Sequence, residues 1–300
     1  MENFKSGFIS IIGRTNVGKS TLINNLVGEK IAATVDKCQT TRTAIRAIVN
    51  REKSQMIFID TPGIHKPKTK LGEIMNETAW GAIPDSDITL FIVEATSNTI
   101  GKGDRLILDK IKDKNSKTIL IINKIDLVEK EKLLNLIKIY NEEYNFESTI
   151  PISATKAENI NKILEEIEKH LPYGPAYYDI EEYTDQTERQ LVEETIREKA
   201  LKLLDEEVPH GILVEVDKMK LRKTTKNEDI YDIEAVIYVL RNSHKGIVIG
   251  KNGSMLKRIG TYARQDIERM LKTKTNLKIW VKVKENWQEN NSILKRFKAE

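Results

Sequence analysis

The stretch Gly13-Arg-Thr-Asn-Val-Gly-Lys-Ser20 fits the pattern G-x-x-x-x-G-K-[ST] and decides the fold class. It follows an apolar run at residues 8–12 that is typical of a buried strand, and helical periodicity follows it from about residue 20 to 27. In a strand–loop–helix unit of this kind, backbone N–H groups and the helix N-terminus together attract a phosphate group. The stretch therefore predicts a nucleoside triphosphate site and leaves the base undecided.

The candidate ligand residues of this loop have separate roles. We expect Lys19 to contact the β- and γ-phosphates and the Ser20 hydroxyl to bind Mg²⁺. The remaining candidate nucleotide contacts are Gly13, Arg14, Thr15, Asn16, Val17, Gly18 and Thr21. The alternative is a chance glycine-rich turn, and the strand and helix on either side argue against it.

Strands and helices alternate over the first 170 residues. Runs of β-branched and aromatic residues lie at 56–59, 89–93, 118–122 and 149–152, and helical stretches lie near 69–82, 103–114, 130–144 and 159–170. This alternation predicts an α/β domain with a mostly parallel sheet and helices on both faces. Such sheets bind ligands beyond the carboxyl ends of their strands.

Asn123-Lys-Ile-Asp126, directly after a predicted strand, points to the base. The Asp126 carboxylate can accept both N1–H and the 2-amino group of guanine, whereas adenine lacks that second donor. Asn123 would bond the base edge or brace the phosphate loop, and the stem of Lys124 would cover the ring. Ser153-Ala154-Thr155 follows the next strand, where the Ala154 N–H would donate to guanine O6. The combination predicts GTP rather than ATP.

Asp60-Thr-Pro-Gly63 follows another predicted strand and supplies candidates for hydrolysis. We expect Asp60 to hold Mg²⁺ through water and the Gly63 N–H to contact the γ-phosphate. About twenty residues upstream, Thr40-Thr41-Arg42 offers a hydroxyl for the metal; we favour Thr41, although spacing does not decide between the two threonines. The predicted metal set is Ser20, Thr41 and Asp60, and the catalytic set adds Lys19, Gly63 and Asn16.

These motifs, in this order, resemble the translation-factor-related small GTPases. Ile64 stands where Ras-like proteins carry a water-orienting glutamine, and an aliphatic side chain cannot orient water. Asn16 is similar to an asparagine that, in relatives, ligates a monovalent cation such as K⁺; the alternative is an amide that braces the loop. The resemblance implies slow turnover without a partner or a monovalent cation.

Length and composition suggest two domains. A chain of 300 residues exceeds the size at which single cores stop growing, and 39% hydrophobic residues exclude intrinsic disorder as the main state. Leu171-Pro-Tyr-Gly-Pro175 is the best boundary. We predict a GTP-binding domain at 1–172, a linker at 173–185 and a second domain at 186–300.

The segments 1–180, 181–207 and 208–300 carry net charges of +1, −6 and +9.

Localisation follows from what the chain lacks. The single Cys38 cannot form an internal disulfide, the first residues do not read as a secretory signal, and the apolar runs are too short for a membrane span. We expect a protein of the reducing cytoplasm.

Residues 188–283 follow the order α-β-β-α-α-β and contain Gly246-Ile-Val-Ile-Gly-Lys-Asn-Gly-Ser254. An I-G-x-x-G loop after a strand-like apolar run resembles the type II KH domain, in which the glycines let nucleic-acid phosphates approach the backbone. A plain helix-entry turn is the alternative. An apolar groove from residues 247–249 would receive the bases. The candidate RNA contacts are Ile249, Gly250, Lys251, Asn252, Gly253, Lys257 and Arg258.

The segment 278–284 alternates and places three lysines and Trp280 on one face. Lys282 is a further candidate RNA contact, because a lysine face attracts phosphates. The alternative is a half-buried strand with a solvated lysine face.

A GTPase joined to a type II KH domain resembles the Era family of bacterial ribosome-assembly GTPases over essentially the whole chain. Thr15 and Cys38 depart from the family pattern, in which proline is common at both positions. The resemblance implies binding to the 3′ end of small-subunit (16S) rRNA, a role in assembly of the 30S subunit and loose peripheral association with the inner membrane. We also expect a monomer. Two other functions stay open: an RNA-binding adaptor stabilised by nucleotide with incidental hydrolysis, and a GTPase whose C-terminal region docks a protein.

Overall fold

The computed structural model describes residues 4–35, 42, 44–64, 67, 69–114, 116–205 and 208–297. The chain divides into two compact units, and the main body of the first ends at Asp185 where that of the second begins at Gln186. Over these described ranges, no helix combines the length and the apolar character needed to cross a lipid bilayer.

The first unit is an α/β layer structure, and its prediction from the sequence is confirmed. Its described strands are β1 (Lys5–Gly13), β2 (Ile45–Arg51), β3 (Ser54–Asp60), β4 (Ile88–Glu94), β5 (Thr118–Asn123) and β6 (Ser148–Pro151). Its described helices are α1 (Lys19–Val27), α2 (Lys70–Gly81), α3 (Lys102–Lys114), α4 (Lys130–Glu143) and α5 (Ile160–His170). The sheet order is β2-β3-β1-β4-β5-β6.

All neighbouring pairs in this sheet are parallel except β2 with β3. The strands β4 and β5 are buried at nearly every position, as expected of a sheet covered on both faces. Because parallel strands end at the same edge, the loops after β1, β3, β4, β5 and β6 meet there. This edge carries the motifs singled out above.

Strand β2 is absent from the sequence-based expectation. It pairs antiparallel with β3, so that Ile45 lies opposite Asp60 and Arg51 opposite Ser54. The turn between the two strands, Glu52-Lys53, contains neither glycine nor asparagine and thus gives no hairpin signal. Only pairing with β3 identifies this segment as a strand.

The segment 173–185, predicted to be a linker, lies along the first unit. Backbone bridges join Lys5 to Tyr173 and Ala47 to Thr184. The buried side chain of Gln55 accepts hydrogen bonds from the N–H groups of Tyr177 (2.7 Å) and Tyr178 (3.0 Å). Its Nε2 donates to the Tyr178 carbonyl at 2.8 Å, so one amide holds the middle of the segment.

The second unit has the predicted order of elements, with α6 (Glu188–Leu203), β7 (Leu213–Lys223), β8 (Asp229–Val239), α7 (Asn242–Ile249), α8 (Ser254–Leu271) and β9 (Lys274–Val283). Its sheet has the order β7-β8-β9, with β7 antiparallel and β9 parallel to β8. The helices cover one face, and their core includes Ile196, Val248 and Ile259 against Ile233 and Val281.

The structure corrects one expectation, which concerns the apolar run before the glycine loop. Its composition predicts a strand-like segment at 246–249, but these residues form the last turn of α7. A run of three apolar residues does not distinguish a strand from a helix. Only Val248 is buried in α7, which suits a helix that meets the core along one side, whereas Ile247 is 49% exposed.

We expect Gln55→Leu to loosen the segment 173–185. The substitution leaves two backbone N–H groups and one carbonyl without their partner, at a cost of about 2 kcal/mol. Hydrogen exchange at the amides of Tyr177 and Tyr178 should accelerate, whereas Gln265→Leu at an exposed position of α8 should leave both rates unchanged. Unaltered exchange at these two amides in Gln55→Leu would contradict the assigned anchoring role.

Candidate functional site

The phosphate loop connects β1 to α1 and holds Lys19 inside the protein. Lys19 is buried, and its Nζ donates to the carbonyls of Gly13 (3.1 Å) and Arg14 (2.8 Å). Burial lowers the pKa of Lys19 to about 8, and the negative charge of Asp60 partly opposes this shift. A polyphosphate at the loop would favour the charged ammonium, so the loop is suited to a strongly anionic ligand.

Ser20 and Asp60 form the described part of the predicted metal set. The Ser20 hydroxyl donates to Asp60 Oδ2 over 3.4 Å, and both side chains are buried. A hydroxyl and a carboxylate at this distance are oxygen donors of the kind that Mg²⁺ prefers, so the residues present fit the ion. Thr40 and Thr41 lie outside the described residues.

The residues after β3 lie against the phosphate loop. Ile64 N–H donates to the Gly13 carbonyl at 3.3 Å, and a Cβ placed on Gly63 would lie 2.8 Å from Thr15 Cα. The Ile64 side chain is buried, so water orientation must come from another group. The Thr61 hydroxyl donates to the Ile11 carbonyl at 2.7 Å and fixes this stretch to β1. Sequence reasoning missed Thr61, because nothing in the motif reveals an inward hydroxyl.

Asn123 joins the phosphate loop to the base motif. Its Nδ2 donates to the Val17 carbonyl at 2.8 Å, and its Oδ1 accepts from the N–H groups of Lys124 (2.8 Å) and Ala154 (2.9 Å). The sequence leaves two roles open for Asn123, and these hydrogen bonds agree with the second, in which its side chain braces the phosphate loop. The Ala154 N–H, predicted to donate to guanine O6, donates here to Asn123, so a bond to O6 requires sharing or exchange of this donor.

The predicted base-recognition carboxylate is held by a neighbouring motif. Asp126 lies on a 3₁₀ turn, and its Oδ1 accepts from the Ser153 hydroxyl at 2.7 Å. Thr155 Oγ1 lies 3.2 Å from the same hydroxyl. Ser153 therefore orients the carboxylate that is predicted to read guanine. Asn25 also connects α1 to this motif, since its Nδ2 donates to the Ala154 carbonyl at 2.8 Å.

In the second unit, the glycine loop lies between α7 and α8. Lys251 and Asn252 are exposed at its tip, and Lys257 and Arg258 are exposed on the first turns of α8. Tyr262, four residues after Arg258, is 46% exposed. It is an added candidate for base contact, absent from the motif-based set although helical spacing from Arg258 indicates it.

The positions of the two glycines in the loop differ in whether they can carry a side chain. Gly250 has φ of 73°, and a Cβ there would lie 2.7 Å from Met255 Cβ and 2.8 Å from its backbone nitrogen. Gly253 has φ of 76°, and among the described residues no atom lies within 4 Å of a Cβ placed on it. Position 253 can therefore carry a residue that accepts positive φ, such as asparagine, whereas position 250 cannot carry a side chain without displacement.

Lys282 does not lie with the other RNA candidates. Leu277, Ile279 and Val281 of β9 pack toward the helices, so the alternating Lys278 and Lys282 lie on the opposite face of the sheet. Lys284 lies 4.4 Å above the Tyr238 ring and 3.7 Å from Glu215. The glycine loop and Lys282 thus belong to different surfaces of this unit.

Comparison with known proteins agrees with this geometry. Residues 8–124 match the family model described as 50S ribosome-binding GTPase, and residues 207–288 match the KH domain model. GTPase Era of Clostridioides difficile (strain 630) is 50% identical over 295 residues, covering 98% of both chains. This chain belongs to the Era family of GTPases.

Two solved Era structures share its architecture. One is Era in complex with MgGDPNP and nucleotides 1506–1542 of 16S ribosomal RNA, with a TM-score of 0.93 and 37% identity over 98% of each chain. The other is a single-residue variant of Aquifex aeolicus Era bound to GDP and AlF₄⁻, also with a TM-score of 0.93 and 37% identity, covering 98% of this chain and 99% of that chain. GTP hydrolysis is therefore the activity of this Era-family protein, and its second unit is a KH domain.

We expect Asp126→Asn to change the base preference of this Era-family GTPase. An asparagine presents one acceptor and one donor toward the two donors of guanine, so GTP affinity should fall by at least about a hundredfold while xanthosine triphosphate gains affinity. Competition against a fluorescent nucleotide measures both. Asp113→Asn, at an exposed position of α3, is the matched control. Equal affinity for GTP in Asp126→Asn and the control would refute the pairing.

Proposed function

We propose that this Era-family protein uses GTP binding and hydrolysis to control how its KH domain binds the 3′ end of 16S rRNA during 30S subunit assembly. The proposal takes residues 1–172 as the GTPase domain and 186–300 as the RNA-binding domain. The observation that carries it is the similarity of the whole chain to an Era structure that holds MgGDPNP and nucleotides 1506–1542 of 16S ribosomal RNA.

The contacts of the nucleotide-site residues support the roles that we propose for them. Lys19 would exchange its carbonyl partners for phosphate oxygens, and the Gly63 N–H would contact the γ-phosphate. Asp126, oriented by Ser153, would accept the guanine donors. Asn123 keeps the phosphate and base loops at a fixed separation, because both of its amide atoms bond to the loops. This arrangement favours a guanine nucleotide with at least two phosphates.

Mg²⁺ would be held by Ser20, Asp60 and Thr41. When bound, it supplies positive charge between the β- and γ-phosphates. The burial of Ser20 and Asp60, and the 3.4 Å separation of their oxygens, support their assignment as ligands of this ion. The resemblance to GTPases with a hydroxyl ligand upstream supports Thr41.

Hydrolysis is proposed to be slow unless a partner or a monovalent cation assists. Ile64 is buried and offers no polar group to water. Asn16 occupies an exposed position of the phosphate loop with φ of 64°, where its amide is a candidate ligand for K⁺. We further propose that the protein is a cytoplasmic monomer, and the family resemblance supports loose, peripheral association with the inner membrane.

Phosphate release from GTP, measured with and without an RNA fragment of the 16S 3′ end, tests the coupling. We expect the RNA to accelerate release severalfold in KCl and less in NaCl. If RNA binds only in the presence of GTP but leaves the release rate unchanged in both salts, the protein is instead an RNA-binding adaptor with incidental hydrolysis.

Gly253→Asp and Gly253→Asn form a matched pair for the RNA site. Both residues tolerate the positive φ at this position, and they differ mainly by one negative charge beside the proposed phosphate contact. We expect Gly253→Asp to bind the RNA fragment at least about tenfold more weakly than Gly253→Asn at low salt, with a smaller difference at high salt. Fluorescence anisotropy measures the affinities. Equal RNA affinity in the pair would favour a protein-docking role for this domain.

A further inference from the structure

Glu94 lies between the two halves of the nucleotide site. It is the last residue of β4, and β4 separates β1, which leads into the phosphate loop, from β5, which leads into the base motif. In the parallel register, Glu94 lies opposite Asn123. The Ala95 N–H donates to the Asn123 carbonyl at 2.8 Å and fixes the backbone after Glu94. The fold thus places one carboxylate where both loops are within reach.

The two carboxylate oxygens of Glu94 contact one cation from each loop. Oε2 accepts from Lys124 Nζ of the base motif at 2.7 Å, and Oε1 lies 3.6 Å from Arg14 Nη2 of the phosphate loop. Lys124 has φ of 67°, so its stem leaves the strand end in a defined direction that this ion pair then holds. The side chains of Glu94, Arg14 and Lys124 are 24%, 30% and 31% exposed, so solvent screens the pairs only in part.

Arg14 is held from its other side by a buried carboxylate. Its Nε donates to Asp104 Oδ1 at 2.8 Å, and the Asp104 side chain is 1% exposed. Burial raises the pKa of Asp104, and the Arg14 guanidinium opposes this shift. A Cβ on Gly103 would lie 2.6 Å from Arg14 Cδ, so a larger residue there would require the Arg14 side chain to shift.

These contacts form a chain across the site. The Arg14 carbonyl accepts from Lys19 Nζ, the predicted phosphate lysine, while the Arg14 side chain pairs with Glu94 and Asp104. Glu94 in turn pairs with Lys124, the predicted base lysine. The guanidinium of Arg14 therefore has a carboxylate on each side, while its backbone carbonyl holds the predicted phosphate lysine.

We propose that Glu94 is a positioning residue that couples the phosphate loop to the base motif through Arg14 and Lys124, so that each half of a guanine nucleotide binds more tightly when the other half is in place. This proposal rests on the assignment of the two motifs as the nucleotide site. It makes Glu94 a determinant of affinity for GDP and GTP although it touches neither base nor phosphate.

Glu94→Gln tests the role directly. We expect it to weaken GDP binding about three- to tenfold, as befits the loss of partly screened ion pairs, with little change in thermal midpoint. Glu143→Gln is the matched control, because Glu143 also pairs with an arginine and a lysine, Arg105 (2.6 Å) and Lys112 (3.5 Å), on the surface formed by α3 and α4. The control should bind GDP as the unmodified protein does and should match Glu94→Gln in thermal midpoint.

A double-mutant cycle tests the coupling. Arg14→Gln keeps an N–H donor at the position of Nε for Asp104, and Lys124→Gln keeps most of the stem, so both remove charge with little change in shape. Each single variant should lower GDP affinity by some factor. We expect the factor for the double variant to be at least about twofold smaller than the product of the two single factors. When Glu94 is also replaced in the E94Q background, the factor for the Arg14 and Lys124 double variant should equal the product of the two single factors, because the shared carboxylate is no longer charged.

Two results would overturn the proposal. One is GDP affinity in Glu94→Gln equal to that in Glu143→Gln, and the other is multiplication of the two losses in both backgrounds. Failure of the underlying site assignment looks different, because Asp126→Asn would then leave the base preference unchanged. Measuring Asp126→Asn in the same competition assay therefore separates the two failures.

Discussion

A single primary amide ties together the loops on which nucleotide binding depends. Asn123 donates to the Val17 carbonyl of the phosphate loop and accepts from the backbone of Ala154. Since an amide presents its donor and acceptor in one rigid plane, this one side chain constrains the spacing between the phosphate and base loops. Such a constraint lowers the entropy that the loops lose on binding, and the Ser153 hydroxyl orients the Asp126 carboxylate beside them.

The parallel sheet makes this tie possible. Strands β1, β4 and β5 end at one edge, so residues far apart in the chain become neighbours: Arg14, Glu94 and Lys124 form one charged chain. The inner strands are buried on both faces, and a slip of one strand against the next would move the loop that follows it. Core packing and ligand geometry are therefore one constraint in this unit.

The KH domain separates its surfaces in the same way. Helices α7 and α8 cover one face of its sheet, and the alternation of β9 directs Lys278 and Lys282 to the other. The glycine loop with Lys251, and α8 with Lys257, thus form the candidate RNA surface without Lys282. The net charge of +9 over residues 208–300 is distributed over two faces rather than concentrated at the loop.

The sequence by itself determined the α/β class, the order of the predicted elements and the nucleotide motifs, because each depends on local periodicity or on residues within one loop. The KH domain came from the resemblance of its glycine loop and element order to that family. Tertiary structure alone decided that β2 is a strand, that residues 246–249 end a helix, that Asn123 braces the loop, that Thr61 bonds to β1 and that Glu94 pairs with Lys124. Each of these depends on a partner distant in the chain. A hydrogen bond or ion pair leaves no mark on the local pattern of either residue, so the sequence can name candidates while only the fold pairs them.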